Sequence, residues 1–301
     1  MGPGLHHLTL GKDGPFVICD YHMHLELDSH YEPCRFTLER IRLYVDAARR
    51  RGADEIGISE HCNRFAPFRP VMGHLLRRGD ETPECILWRD RSFRESLDQY
   101  FDALSEAKRA GLPVKASLEV DYLPGAEKAL SAILDPYPWD YLLGSVHFLG
   151  PWGIDMNPEY GWPTADVDRV YEEYFATFQA AARSGLFDVL AHPDLVKKFG
   201  HRPSFPLDEY YDAVARAAQQ AGVAVEINTA GLHKPVGELY PAQPLLERFY
   251  DRGVPITLAS DAHTPEHVAR DFDKAVAAAR AAGYDQIARF EQRRRTLHPL
   301  G

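Results

Sequence analysis

The chain has 301 residues, 45% apolar and 26% charged, the balance of a globular protein with a sizeable core. Its 34 basic and 44 acidic residues leave a net charge of −10, which argues against a nucleic-acid partner. An anionic substrate stays open, because bound cations can reverse the sign locally. No apolar run approaches bilayer length, and the N-terminal segment lacks the charged and apolar regions of a signal peptide. Cys19, Cys34, Cys62 and Cys85 form no CxxC pair, so reduced thiols and a cytoplasmic location are expected.

Short β-branched runs alternate with amphipathic stretches. In chain order, strands are predicted at Phe16–Met23, Glu55–Ser59, Val114–Val120, Tyr141–Phe148, Asp188–Ala191, Val223–Asn228 and Ile256–Ser260. Helices are predicted near Thr37–Arg51, Ser92–Ala110, Ala126–Leu134, Asp166–Ser184, Leu207–Ala221, Gln243–Asp251 and Pro265–Ala282. Glycines such as Gly222 and Gly283 follow helical patterns, as C-terminal caps do. Strand and helix alternating in this way imply parallel strands joined by crossovers: a closed α/β barrel, or alternatively a doubly wound open sheet. Two Pro- and Gly-rich segments, at about 63–91 and 149–164, follow strands and would lie over the C-terminal face of a barrel as active-site loops. The tail carrying Arg293, Arg294 and Arg295 reads as a solvated helix end.

The first predicted strand ends in Asp20-Tyr-His22-Met-His24. Residues two apart share a strand face, so the two imidazoles lie roughly 7 Å apart on one side. Asp20 shares their parity and is expected to accept a hydrogen bond from one of them. Alone, HxH is a weak signal, since two such histidines commonly sit on a surface strand. The other strand ends change that. They deliver His61, Glu119, His147, His192, Asp261 and His263, with His30 in the loop after the first strand. A parallel barrel gathers all these ends on one rim. Imidazole and carboxylate without thiolate suit Zn²⁺, Mn²⁺ or Fe²⁺. Nine protein ligands exceed the needs of one ion, so two or three divalent ions are expected. Such a site attracts phosphate, and closely spaced ions can activate water for phosphoester hydrolysis. Cys62, beside His61 with opposite parity, reads as packing, and His74, His201 and His233 read as non-ligands.

The ordered set HxH, H, EH, E, H, HP and DxH resembles the polymerase and histidinol phosphatase (PHP) superfamily. The resemblance runs from Asp20 to about Gly283. It implies a distorted, TIM-barrel-like (β/α)7 barrel, one domain over residues 1–301, with a trinuclear metal site. One ion would take His22, His24, Glu119 and Asp261; a second would share Glu119 and add His147 and His192; a third would take His30, His61 and His263. Longer strings, among them Asn228-Thr-Ala-Gly231 followed by Tyr240-Pro241, are similar to the histidinol-phosphatase branch. Met23 and Leu25 stand where that family often has Thr.

The implied activity is hydrolysis of L-histidinol phosphate in histidine biosynthesis. The alternatives are another small phosphate ester, such as a nucleotide or sugar phosphate, or a non-catalytic metal-binding domain. Asp261 and His263 are candidates for proton transfer to the leaving group, and Glu119 for bridging two ions. Lys197, Lys198, Arg64 and Lys234 are candidates for holding phosphate. Glu226 and Asn228 either recognise the amino or imidazole end of the substrate or are polar residues satisfied inside the barrel.

Overall fold

A computed structural model describes residues 17–25, 36–75, 86, 88 and 90–301. Its central sheet is built from β1 (Cys19–Asp20), β2 (Glu55–Ile58), β3 (Val114–Ala116), β4 (Glu119–Asp121) and β5 (Leu143–Ser145). After a small antiparallel pair, β6 (Phe148–Leu149) and β7 (Trp152–Gly153), it continues with β8 (Val189–Leu190), β9 (Ala224–Asn228) and β10 (Ile256–Ala259). The central strands are parallel, in the order β3-β2-β1-β10-β9-β8-β5-β4.

The two ends of that order, β3 and β4, are halves of one bent strand. Ser117 N donates to Ile58 O and Glu119 N to Glu60 O, each at 3.0 Å, which carries the pairing with β2 past the bend. The halves therefore join the sheet into a ring of seven strand positions, a (β/α)7 barrel. The bend also aims Glu119 at the rim beside His61, with which it forms a bridge.

Helices cover the barrel where their periodicity allows. The helix Val167–Arg183 buries Val170, Tyr171, Tyr174, Phe175, Phe178, Ala181 and Ala182, an i, i+3/i+4 stripe against the sheet. Each large buried side chain of this kind contributes about 1.5–3 kcal/mol of hydrophobic stabilisation. Thr37, Ser96 and Asp166 cap three helices by accepting from the backbone N–H three residues on. Gly222 and Gly283 close two others in the left-handed conformation.

Three expectations are corrected. The helix foreseen from Ser92 begins at Leu97, because Phe93 takes φ 65° and Ser96 supplies the cap. The helix foreseen from Pro265 begins at Phe272, because Ala269 and Asp271 take φ 53° and 58° and interrupt the turn. The arginine-rich tail is no helix end but the turn of an antiparallel hairpin, β11 (Gln286–Glu291) and β12 (Arg294–Pro299). That hairpin packs on the N-terminal mouth of the barrel. Ala288 and Phe290 join Val17, Cys19, Tyr21, Tyr141, Leu143 and Val189 in a second buried cluster. Arg289 Nη2 lies 2.7 Å from Glu55 Oε2, and Arg293 Nε lies 2.8 Å from Asp188 Oδ2.

Among the described residues no helix is long and apolar enough to cross a membrane. Cys19 and Cys62 are free and buried; Cys34 and Cys85 fall outside the described residues.

Candidate active site

Each barrel strand leaves its C-terminal end on the same rim, and the side chains just past those ends converge. β1 delivers His22 and His24, β2 His61, the bend between β3 and β4 Glu119, β5 His147, β8 His192, and β10 Asp261 and His263. His30 lies outside the described residues. His192 and Asp261 turn inward on left-handed backbone, φ 26° and 52°. Non-glycine residues pay for that conformation, and it concentrates where function fixes a side chain.

Glu119 is the hub. Its Oε2 lies 2.7 Å from His61 Nδ1, 3.4 Å from His22 Nε2 and 3.7 Å from His24 Nε2. Its Oε1 lies 3.0 Å from His192 Nε2 and 3.5 Å from His147 Nε2. Asp261 Oδ1 sits 3.3 Å from His24 Nε2 and 3.7 Å from His22 Nε2. The imidazoles crowd one another: His24 stacks on His61 at 4.0 Å and on His263 at 4.4 Å between ring centres.

Carboxylates behind the rim set two of the rings. Glu226 faces His22 Nδ1 at 3.0 Å, and Asp121 Oδ1 faces His147 Nδ1 at 2.8 Å. A carboxylate only accepts, so each Nδ1 donates and each Nε2 is the nitrogen turned to the rim. Sequence parity could have found Asp121, which shares a face of the bent strand with Glu119. The partner foreseen from parity, Asp20, serves elsewhere. It accepts from Ser260 N, Ser260 Oγ and Ala269 N and so locks the β1 end to the β10 loop.

The electrostatics are those of imidazoles and carboxylates packed together out of water. Burial opposes charge on His22, but Glu226, Asp261 and Glu119 outweigh it and hold its pKa well above the imidazole norm. Burial likewise opposes charge on His61 and His147, yet Glu119 above all raises each to about 9. His24 goes the other way, well below the norm, through burial and then the neighbouring His61 and His263. Burial would raise Glu119 and Asp261, but their imidazole neighbours keep both well below the carboxylate norm.

Donor geometry fits divalent metal. One ligand atom from each of His22, His24 and Glu119 falls within a 4.8 Å sphere of separation, as does one from each of Glu119, His147 and His192, and one from each of His24, His61 and His263. The buried His22 Nε2, and both ring nitrogens of His24, find no hydrogen-bond partner in the protein. Unpaired polar atoms at that depth are costly unless something coordinates them.

The rim forms the floor of a cavity of about 350 Å³. Arg64, Lys198 and Lys234, three of the candidates for holding phosphate, line it together with Arg91, Asp155, Trp88, Phe148, Met156, Leu195 and Tyr240. Lys197 does not: it is buried in an ion pair with Asp194 at 2.8 Å and Glu238 at 3.1 Å, and donates to Leu239 O. Glu226 and Asn228 are also interior. Glu226 accepts from His192 N and Asn228 Nδ2, while Asn228 Oδ1 accepts from Ala230 N. Of the two readings left open for that pair, the interior one matches their placement. Cys62 packs between Met72 and Asp121, His201 stacks on Trp162, and His233 pairs with Asp271; none of the three lines the cavity.

A parallel barrel with such a rim is the frame of a metal-dependent hydrolase. Known proteins agree. The sequence profile of the PHP domain family matches residues 20–230. A probable histidinol-phosphatase of Deinococcus radiodurans is 36% identical over 274 residues, spanning 88% of this chain and 94% of that protein. The histidinol-phosphatase of Bacillus subtilis is 27% identical, spanning 75% of this chain and 87% of its own. The crystal structure of histidinol phosphate phosphatase from Lactococcus lactis, complexed with zinc, L-histidinol and phosphate, shares the fold. Its TM-score is 0.71 at 22% identity, covering 94% of this chain and all of that one, 100%. This chain belongs to the PHP domain family.

Proposed function

We propose that this chain is a metal-dependent phosphomonoesterase that hydrolyses L-histidinol phosphate to L-histidinol and inorganic phosphate, a step of histidine biosynthesis in the cytoplasm. The observation that carries the reading is Glu119, a buried carboxylate facing five imidazoles beneath a cavity lined with cations. Similarity over nearly the full length of a probable histidinol-phosphatase supports the choice of substrate.

His22, His24, Glu119 and Asp261 would hold one ion and Glu119, His147 and His192 a second. His61 and His263, with His30, would hold a third. Two or three Zn²⁺, Mn²⁺ or Fe²⁺ ions there would polarise the phosphoryl oxygens and strengthen water as a nucleophile. Lys198, Lys234, Arg64 and Arg91 line the cavity and would hold the phosphate dianion. Trp88, Phe148 and Leu195 would exclude bulk water and pack on the imidazole of the substrate. His263 and Asp261 border the cavity, with His263 Nδ1 4.0 Å from Asp261 Oδ1. Asp261 and His263 are the groups we assign to proton transfer at the departing alkoxide oxygen. Chelation should abolish phosphate release, and Zn²⁺, Mn²⁺ or Fe²⁺ should restore it. Release that is indifferent to chelation would contradict the proposal.

A further inference from the structure

Four carboxylates line the cavity: Glu119, Asp121, Asp155 and Asp261. Three are committed, Glu119 and Asp261 among the imidazoles and Asp121 to His147 Nδ1. Asp155 is different. Lys198 Nζ donates to its Oδ2 at 3.0 Å and to its backbone carbonyl at 2.7 Å. Among the described residues its Oδ1 accepts no hydrogen bond. Its neighbour Ile154 donates through the backbone to His147 O at 2.9 Å, which pins this loop against the β5 end of the rim.

A bare carboxylate beside a phosphate site repels the substrate. The Lys198–Asp155 pair does not, because it presents both signs at once. That matches a ligand carrying a phosphate dianion and an ammonium on neighbouring carbons. Trp88, Phe148 and Met156 complete the lining with surface suited to a flat ring. The charge on Asp155 is secure: burial would raise its pKa, but Lys198, followed by His147, lowers it to about 2.

We propose that Asp155 is the specificity-determining residue for the amine of the substrate, its carboxylate receiving the ammonium on the carbon next to the ester carbon. This rests on the phosphatase reading above and names the group that separates amino-alcohol phosphates from other monoesters. A charge-assisted bond at a partly exposed site should discriminate about 10- to 100-fold.

The test is calorimetric binding of L-histidinol and of its amine-free analogue, 3-(imidazol-4-yl)propan-1-ol, to the metal-loaded protein, with metal content and melting temperature as controls. Wild-type protein should bind L-histidinol about 10- to 100-fold more tightly than the analogue. Asp155→Asn should bring the two affinities together, and Asp155→Glu should restore part of the preference. Absence of an amine preference in the wild type, or a preference that survives Asp155→Asn, overturns the assignment. Failure of the reading beneath it shows separately, as a wild-type protein that does not hydrolyse L-histidinol phosphate.

Discussion

Glu226 accepts the Nδ1 hydrogen of His22 at 3.0 Å, and this bond turns His22 Nε2 toward Glu119 and Asp261. The same carboxylate accepts from His192 N at 2.9 Å, so one buried group from β9 sets two imidazole-bearing strand ends, those of β1 and β8. Glu226→Gln keeps the size and removes the charge. It should weaken metal binding about 10-fold or more, the usual cost of losing a partner behind a ligand imidazole. Competition with a chelating dye measures this; an unchanged affinity would remove Glu226 from the design.

Metal uptake should release protons. In the metal-free protein His61 and His147 titrate at about 9, because Glu119 outweighs their burial, so both are charged at neutral pH. Metal and proton compete for the same lone pairs, and apparent affinity should therefore rise with pH up to about 9. Calorimetry in buffers of different ionisation enthalpy counts the released protons. A count of zero at neutral pH would contradict the charge state derived from Glu119.

The same shifts predict an alkaline weakening of the metal-free fold. Both folded pKa values lie above the ordinary 6.5. The stability they contribute is complete below 6.5 and is lost as pH rises through 9. Melting temperature of chelated protein, followed from pH 6 to 10, should fall across that window. Metal-loaded protein, whose ligand imidazoles are neutral, should not show this fall.

Phe290 plugs the mouth of the barrel opposite the rim. It is 3% exposed and lies 5.8 Å from Tyr141 and 6.4 Å from Tyr21, ring centre to ring centre. Phe290→Ala should cost about 3 kcal/mol, the transfer of the ring plus the cavity left behind. Urea unfolding reads the loss, and metal stoichiometry of the folded fraction should stay unchanged. A loss below about 1 kcal/mol would mean the hairpin contributes little packing.

The barrel and the rim were legible because each rests on a local pattern. β-branched runs gave the strands, and the parity of His22 with His24 and the strand-end positions of His61, His147, His192 and His263 gave the convergence. What escaped depends on long-range pairing. Asp20 and Glu226 are both strand carboxylates of suitable parity, and only the ring closure decides that Glu226 reaches His22 while Asp20 reaches Ser260. Lys197 and Lys198 are adjacent and alike in sequence. Backbone direction alone sends one to Asp194 and the other into the cavity. The tail hairpin was hidden by its arginines, whose partners Glu55 and Asp188 lie more than 100 residues away.

The most direct measurement is phosphate release by metal-loaded protein from L-histidinol phosphate, beside a panel of nucleotide and sugar monophosphates, with Glu119→Ala as control. The account predicts a kcat/KM for L-histidinol phosphate well above every other member of the panel, lost together with bound metal in Glu119→Ala. Equal or better turnover of another monophosphate would contradict the substrate assignment, and full activity in Glu119→Ala would contradict the metal site itself.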